Sequence, residues 1–175
     1  VLTNRVDPEF LHVHFKDYLS LWDKDTAVNR ITSLLDDNDF NDPELDSVWD
    51  WHLLSESVRD KVLLNILSSK ADYLDWNIVS SRISNMEDMD FGLLLEKTPS
   101  LAEHLNWNIL NEDMALPEIL KFKDLQNAVW DWNIITKRFD TGFIVDNLAK
   151  YAQYWDWEII LNEKINRSYV KDNLE

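Results

Sequence analysis

The side chains best able to carry chemistry in this chain are carboxylates. The 175 residues include 33 Asp and Glu against 17 Lys and Arg, for a formal net charge of −16. Two carboxylates flanking a sugar linkage are enough for glycoside hydrolysis, but no pair is singled out here, so that reaction is a remote alternative. Asp90-Phe91-Gly92 spells a kinase triplet without the glycine-rich and catalytic-loop motifs that accompany it in kinases. We therefore predict no catalytic residue and no enzyme activity.

Candidate metal ligands are equally sparse. With Asp37 as the first ligand of an EF-hand loop, Asp42 falls where the loop needs glycine and Val48 where it needs glutamate. His12 and His14 are two residues apart, so on a helix they point in different directions. The chain has no cysteine and therefore no thiolate ligand. We expect neither a metal nor a cofactor.

A five-residue phrase, Asp-Trp followed after one residue by an aliphatic pair, organises the chain. Its five copies begin at Asp50, Asp75, Asn106, Asp131 and Asp156. The motif tryptophans are Trp51, Trp76, Trp107, Trp132 and Trp157, and they are spaced by 25, 31, 25 and 25 residues. A fixed period of this size is typical of repeat proteins in which each unit is one supersecondary element.

The one long spacing indicates an insertion of six residues. Gly142 lies ten residues after Trp132, whereas Gly92 lies sixteen after Trp76, so a second landmark shows the same excess. The extra residues fall within Ser84–Met89, which we predict to be a protruding loop, because insertions in repeats map to loops and often to the binding face. The candidate interaction residues of this loop are Asn85, Glu87 and Asp88.

Each repeat has the pattern of two short helices. Asp131 is a suitable N-cap, and Trp132, Ile135 and Phe139 follow with helical spacing. Gly142 is expected to break the helix by adopting positive φ, after which a second apolar helix follows. Helices of about ten residues are too short to be stable alone and must stack on their neighbours. We predict an all-α fold, an α-solenoid of about five to six short antiparallel helix pairs with a 25-residue repeat.

The repeats divide the chain into a cap and an array. Trp22-Asp23 precedes Trp49-Asp50 by 27 residues, which indicates a degenerate first repeat in which Lys24 replaces the motif tryptophan. Residues 1–48 therefore form N-terminal helices and this degenerate repeat, and residues 49–175 form one continuous array. The predicted units of the array are 50–74, 75–105, 106–130, 131–155 and 156–175.

The five motif tryptophans are predicted to be core residues that lock one repeat to the next. A tryptophan ring can bury roughly 150–250 Å². The alternative is a ladder on which sugars or bases stack. The residue two before each motif tryptophan is tryptophan in three repeats and leucine in two, and leucine cannot stack on a flat ligand, so we favour packing.

The Asp-Trp-x-aliphatic-aliphatic phrase, followed by serine in Leu54-Ser55 and Val79-Ser80, resembles the tandem DW repeats of large bacterial and giant-virus proteins. The resemblance covers roughly residues 49–175 and departs from tidier examples in lacking Asn-Pro after the serine. It implies an accessory repeat region attached to other domains, with no activity to transfer. We accordingly interpret the chain as a fragment of a larger protein.

The net charge and the composition limit the classes of partner that the chain can bind. A net charge of −16 disfavours direct nucleic-acid binding and anionic membranes, since both require clustered Lys and Arg. We expect a non-catalytic protein-interaction or scaffolding region with a protein partner. The alternative is an acidic module that imitates DNA and binds a basic nucleic-acid-binding protein. The absence of cysteine and of an apolar segment long enough for a membrane favours a cytoplasmic location.

Overall fold

The computed structural model describes residues 3–86, 89–124 and 128–165. These residues form helices and turns and include no β-strand, which confirms the all-helical prediction for the described part of the chain. They belong to two compact units, Val1–Asn106 and Trp107–Glu175. Among the described residues, no helix has the length and apolar character that crossing a bilayer requires.

The described residues of the first unit form six α-helices. They are α1 (Pro8–Val13), α2 (Lys24–Ile31), α3 (Trp51–Ser57), α4 (Asp60–Ile66), α5 (Trp76–Asn85) and α6 (Phe91–Lys97). Between them lie 3₁₀ turns at Thr3–Arg5, Lys16–Leu21, Asp37–Phe40, Pro43–Leu45 and Pro99–Glu103. Most of these helices are shorter than two turns, so their stability must come from packing against one another.

The second unit repeats this alternation with five α-helices among its described residues. They are α7 (Trp107–Asp113), α8 (Leu116–Lys121), α9 (Trp132–Arg138), α10 (Thr141–Asn147) and α11 (Trp157–Ile159). A π-helical turn, Ile160–Lys164, continues α11.

The Asp-Trp phrase sets where helices begin. Each motif tryptophan is the first residue of its helix, and in four of the five helices, all but the one that begins at Trp107, the preceding aspartate is the N-cap and accepts from the free amides of the first turn. The cap predicted at Asp131 is confirmed by bonds from the amides of Asn133 and Ile134, at 2.9 and 3.3 Å. The residue three positions after each tryptophan is fully or almost fully buried in the core. These residues are Leu54, Val79, Leu110, Ile135 and Ile160.

The predicted role of Gly142 is wrong. Gly142 lies inside α10 without a left-handed φ, and Gly92 is likewise a helical residue of α6. The second helices begin instead at Asp90 and Asp140, whose carboxylates accept from the amides three residues later. A Cβ at Gly142 would lie 3.2 Å from Oδ1 of Asp140, so glycine leaves room for the capping carboxylate.

Buried polar side chains join one repeat to the next. The residue four positions after the motif tryptophan is Ser55, Ser80, Asn111 or Thr136, and all four are buried. Their side-chain oxygens accept from the backbone amides of the next capping residues, Asp75, Asn106, Asp131 and Asp156, at 2.8–3.0 Å. Because a buried amide without a partner is costly, these bonds tie each of the four capping residues to the buried polar side chain that precedes it in the sequence.

Candidate protein-interaction groove

A groove of about 530 Å³ lies between α3 and α5 in the first unit. Two side chains come from α3 and five from α5. The lining residues are His52, Glu56, Asn77, Ile78, Ser81, Arg82 and Asn85. On each helix these positions recur every three or four residues, so they form one face.

Three bonds hold α5 against α3 beneath the groove. The amide of Asp75 donates to Oγ of Ser55 at 2.9 Å. The guanidinium of Arg82 donates through Nη1 to the carbonyl of Ser55 at 2.8 Å and through Nη2 to the carbonyl of Val58 at 2.6 Å. The same guanidinium forms an ion pair with Asp60. Arg82 therefore satisfies carbonyls at the end of α3, and its charge is already matched.

One end of the groove is ordered by a histidine and a capping aspartate. Nδ1 of His52 lies 2.9 Å from Oδ2 of Asp75, while Oδ1 of Asp75 caps the first turn of α5. The bond to His52, with the backbone amides of Ile78 and Asn77, lowers the pKa of the Asp75 carboxyl. Asp75 therefore stays ionised and fixes both the start of α5 and the orientation of the imidazole.

The other end of the groove is built from the inserted residues. Helix α5 has ten residues where α3 has seven, so the insertion first lengthens the helix rather than leaving it as a loop. Asn85 is the last residue of α5, and its Nδ2 donates to the carbonyl of Ser81 at 2.7 Å. Of the predicted interaction residues, Asn85 thus lines the groove, whereas Glu87 and Asp88 lie outside the described residues.

The groove offers amide and hydroxyl groups, an apolar patch and one carboxylate. Glu56 is exposed and forms no ion pair within the part of the chain that the structure describes. Ile78 is partly exposed, and Asn77 accepts from Nδ2 of Asn106 at 2.7 Å. Such a surface can bond a peptide backbone through side-chain amides and pair Glu56 with a basic side chain.

The motif tryptophans lie at the boundary between core and surface. Trp51 is buried, whereas Trp76, Trp107, Trp132 and Trp157 are partly exposed. Four of their rings contact another aromatic side chain, with ring centroids 5.1–5.2 Å apart. Three of these contacts are stacked, and they join Trp51 to Tyr73, Trp76 to His104 and Trp132 to Tyr154. Trp107 contacts Trp130 edge to face. Three indole N–H groups donate to the carbonyl five residues earlier, those of Trp51, Trp76 and Trp157.

The residues weighed as metal ligands have other partners. Nε2 of His12 lies 2.9 Å from Oδ1 of Asp39, and Nδ1 of His14 lies 3.1 Å from Oδ2 of Asp17. Asp42 caps a 3₁₀ turn and pairs with Lys16. No group of three or more potential ligands converges in residues 3–86, 89–124 and 128–165.

Sequence reasoning missed the residues that position the groove, Ser55 and Arg82. A signal for them was present. A small polar residue follows four of the tryptophans by four positions, in the middle of an aliphatic segment, and an arginine follows Trp76 and Trp132 by six. A polar residue repeated on a buried helical face indicates a shared hydrogen-bond partner.

Comparison with other proteins adds no assignment: the chain matches no protein-family model, and neither a curated protein nor a solved structure is significantly similar to it.

Proposed function

We propose that this chain is a non-catalytic protein-interaction region in which the α3–α5 groove binds an extended peptide segment carrying a basic residue. The observation that carries the proposal is the unpaired Glu56 beside side-chain amides on a face held rigid by Arg82 and Ser55. Rigid display matters because a preorganised surface loses less conformational entropy on binding. The net charge of −16 attracts a basic partner and accelerates encounter.

The proposal includes the arrangement of the repeats. Within each unit, bonds recur between residues 20 apart, from capping amide to buried polar acceptor, as in Asp75 to Ser55 and Asp156 to Thr136. This recurrence supports stacked helix pairs of the α-solenoid type with a 25-residue period. The resemblance to DW repeats implies the same stacked arrangement. We therefore also propose that these repeats are DW repeats. We propose that the repeat region serves as a scaffold for other proteins.

The stacking can be tested by deletion. Removing residues 131–155 takes out one whole period and leaves Asn111 to accept from the amide of Asp156. Circular dichroism and urea unfolding should show a helical, cooperative protein. Removing residues 131–148 instead destroys the register and should abolish the cooperative transition. Equal behaviour of the two deletions would contradict a 25-residue stacking unit.

The acidic DNA-mimic module is the second candidate, and the charge of −16 favours it. Such a mimic needs ordered rows of uncommitted carboxylates. The motif aspartates fit this need poorly, because their oxygens cap helices and Asp75 and Asp156 also contact His52 and Asn133. We therefore rank the peptide groove above the mimic.

The test is a peptide array of ten-residue sequences with and without Lys or Arg, probed with the intact chain. We expect bound peptides to contain a basic residue and their binding to fall at least about tenfold in Glu56→Gln, the loss of one charge-assisted bond. Glu103→Gln is the matched control, since Glu103 is also exposed but lies outside the groove. Melting temperatures of both variants should equal that of the parent chain.

Two results would count against the groove. If both glutamine variants bind the array like the parent chain, Glu56 does not contact the partner. If the array stays empty while the chain competes with duplex DNA for a basic DNA-binding protein, and raised salt abolishes that competition, the mimic is correct.

A further inference from the structure

The second unit contains a pair of helices that matches α3 and α5 residue by residue. Helices α7 and α9 pack against each other, as α3 and α5 do. Both pairs begin at tryptophans 25 residues apart, so residues 51–82 and 107–138 align without a gap. The insertion within Ser84–Met89 lies outside both stretches. The two pairs can therefore be compared position by position.

Three hydrogen bonds hold α9 against α7. The amide of Asp131 donates to Oδ1 of Asn111 at 2.9 Å. Arg138 donates through Nη1 to the carbonyl of Asn111 at 2.8 Å and through Nη2 to the carbonyl of Met114 at 2.9 Å. The same three bonds, at the same separations of 20, 27 and 24 residues, hold α5 against α3. The support beneath the α3–α5 groove is thus present in the second unit.

Four of the residues that line the α3–α5 groove have an identical counterpart here. Glu112, Asn133, Ile134 and Arg138 stand where Glu56, Asn77, Ile78 and Arg82 line the groove. Glu112 and Asn133 are exposed, and Ile134 is partly exposed. Burial lowers the pKa of the Arg138 guanidinium, and the negative charges of Asp113 and Glu112 oppose that shift. Glu112 on α7 therefore lies close enough to α9 to share one surface with it.

The charges of the two surfaces differ. Lys137 stands where Ser81 lines the groove, and it is exposed. Neither Lys137 nor Glu112 forms an ion pair within residues 3–86, 89–124 and 128–165. We call Glu112, Asn133, Ile134 and Lys137 the α7–α9 face. It carries unpaired charges of both signs, whereas in the α3–α5 groove only Glu56 is an unpaired charge.

We infer that the α7–α9 face is a second peptide-binding surface, for an extended segment that carries both a basic and an acidic residue. The basic residue pairs with Glu112 and the acidic residue with Lys137, while Asn133 and Ile134 supply polar and apolar contacts. A purely basic segment is disfavoured because Lys137 repels it, and such repulsion is a common source of specificity. The inference rests on the proposed mode of peptide binding, but not on binding at the α3–α5 groove, which lies in the other unit.

The test adds ten-residue peptides with one lysine and one glutamate to the array. Every variant also carries Glu56→Gln, so that binding at the α3–α5 groove is weakened in all of them. We expect Glu112→Gln and Lys137→Gln each to reduce binding of the mixed-charge peptides by at least about tenfold, the loss of one charge-assisted bond. Glu163→Gln and Lys150→Gln are the matched controls, since both residues are exposed in the second unit and lie outside α7 and α9. All these variants should melt at the temperature of the parent chain.

Two results would overturn the inference. The first is binding of the mixed-charge peptides that either Glu112→Gln or Lys137→Gln leaves unchanged. The second is an equal loss in the two control variants, which would assign the effect to net charge. Failure of the proposed groove gives a different result, because basic peptides would then bind Glu56→Gln like the parent while the mixed-charge peptides still depended on Glu112. An array without any bound peptide would contradict both proposals.

Discussion

The backbone amide of Asp75 donates to Oγ of Ser55 at 2.9 Å, although the two residues lie 20 positions apart. The same hydroxyl donates to the carbonyl of Trp51 at 2.6 Å, so one buried serine links the start of its own helix to the start of the next. The capping carboxylate of Asp75 then satisfies the first turn of α5. This pair connects the repeat pattern in the sequence to the placement of the groove.

Ser55→Ala should destabilise the first unit by about 1–3 kcal/mol, because it leaves the amide of Asp75 buried without a partner. Ser68→Ala is the matched control, since Ser68 is exposed, and it should change stability by less than about 0.5 kcal/mol. Urea unfolding at neutral pH measures both. A loss for Ser55→Ala no larger than the control would show that the bond is dispensable.

The sequence was sufficient to place the motif helices but not the contacts between them. The Asp-Trp phrase locates helix starts because capping is local chemistry, and all five motif tryptophans begin helices. The prediction for Gly142 is wrong because the aspartate cap two residues earlier, and not backbone flexibility, starts the second helix. The groove depends on Arg82 reaching carbonyls 24 and 27 residues away, and such contacts cannot be derived from local pattern alone.

Arg138 is expected to do in the second unit what Arg82 does in the first. Its Nη1 and Nη2 donate to the carbonyls of Asn111 and Met114 at 2.8 and 2.9 Å. Arg138→Met should cost about 2–3 kcal/mol, and Arg138→Lys about 1–2 kcal/mol, because lysine lacks the planar fork that reaches both acceptors. Lys137→Met, at the exposed neighbouring residue, controls for lost charge. Equal stability of Arg138→Lys and the parent in urea would show that the fork is unnecessary.

Lys70 and Asp46 form an ion pair whose side chains are only 9% and 11% exposed. Lys70→Met leaves a carboxylate buried without its partner and should cost about 3–5 kcal/mol. The double variant Lys70→Met with Asp46→Leu should recover most of this loss, since the carbonyl of Asp46 still accepts from Nε1 of Trp51. A double-mutant cycle in urea measures the coupling. If the losses of stability in the two single variants add up to the loss in the double variant, the interaction between Lys70 and Asp46 does not stabilise the fold.

Removing residues 84–89 restores the 25-residue spacing between motif phrases and shortens α5 by its last two residues. We expect the melting temperature to change by less than about 3 °C, since the described residues among them, 84–86 and 89, are at least partly exposed. Peptide binding on the array should fall, because Asn85 is lost from the groove. The single variant Asn85→Ala shows how much of the loss in binding comes from the Asn85 side chain and how much from the shorter helix. A deletion variant that unfolds at room temperature would show that the insertion is structural.

Asp75→Asn tests how stability depends on pH. Asparagine can keep the cap, as Asn106 stands at the equivalent position of the next repeat, but it cannot titrate. The bond to His52 lowers the pKa of Asp75 in the fold below the ordinary 3.8, so the folded state binds the proton less tightly than the unfolded state. The stabilisation from Asp75 is therefore complete above pH 3.8 and is lost as the pH falls through the folded-state pKa.

We expect the parent to be more stable than Asp75→Asn at pH 6, and the difference to shrink steadily below pH 3.8 in urea unfolding at constant ionic strength. Asp25→Asn, at an exposed aspartate without an ion pair among the described residues, should track the parent throughout. A difference between the parent and Asp75→Asn that stays constant down to pH 2 would show that the charge of Asp75 is not what His52 stabilises.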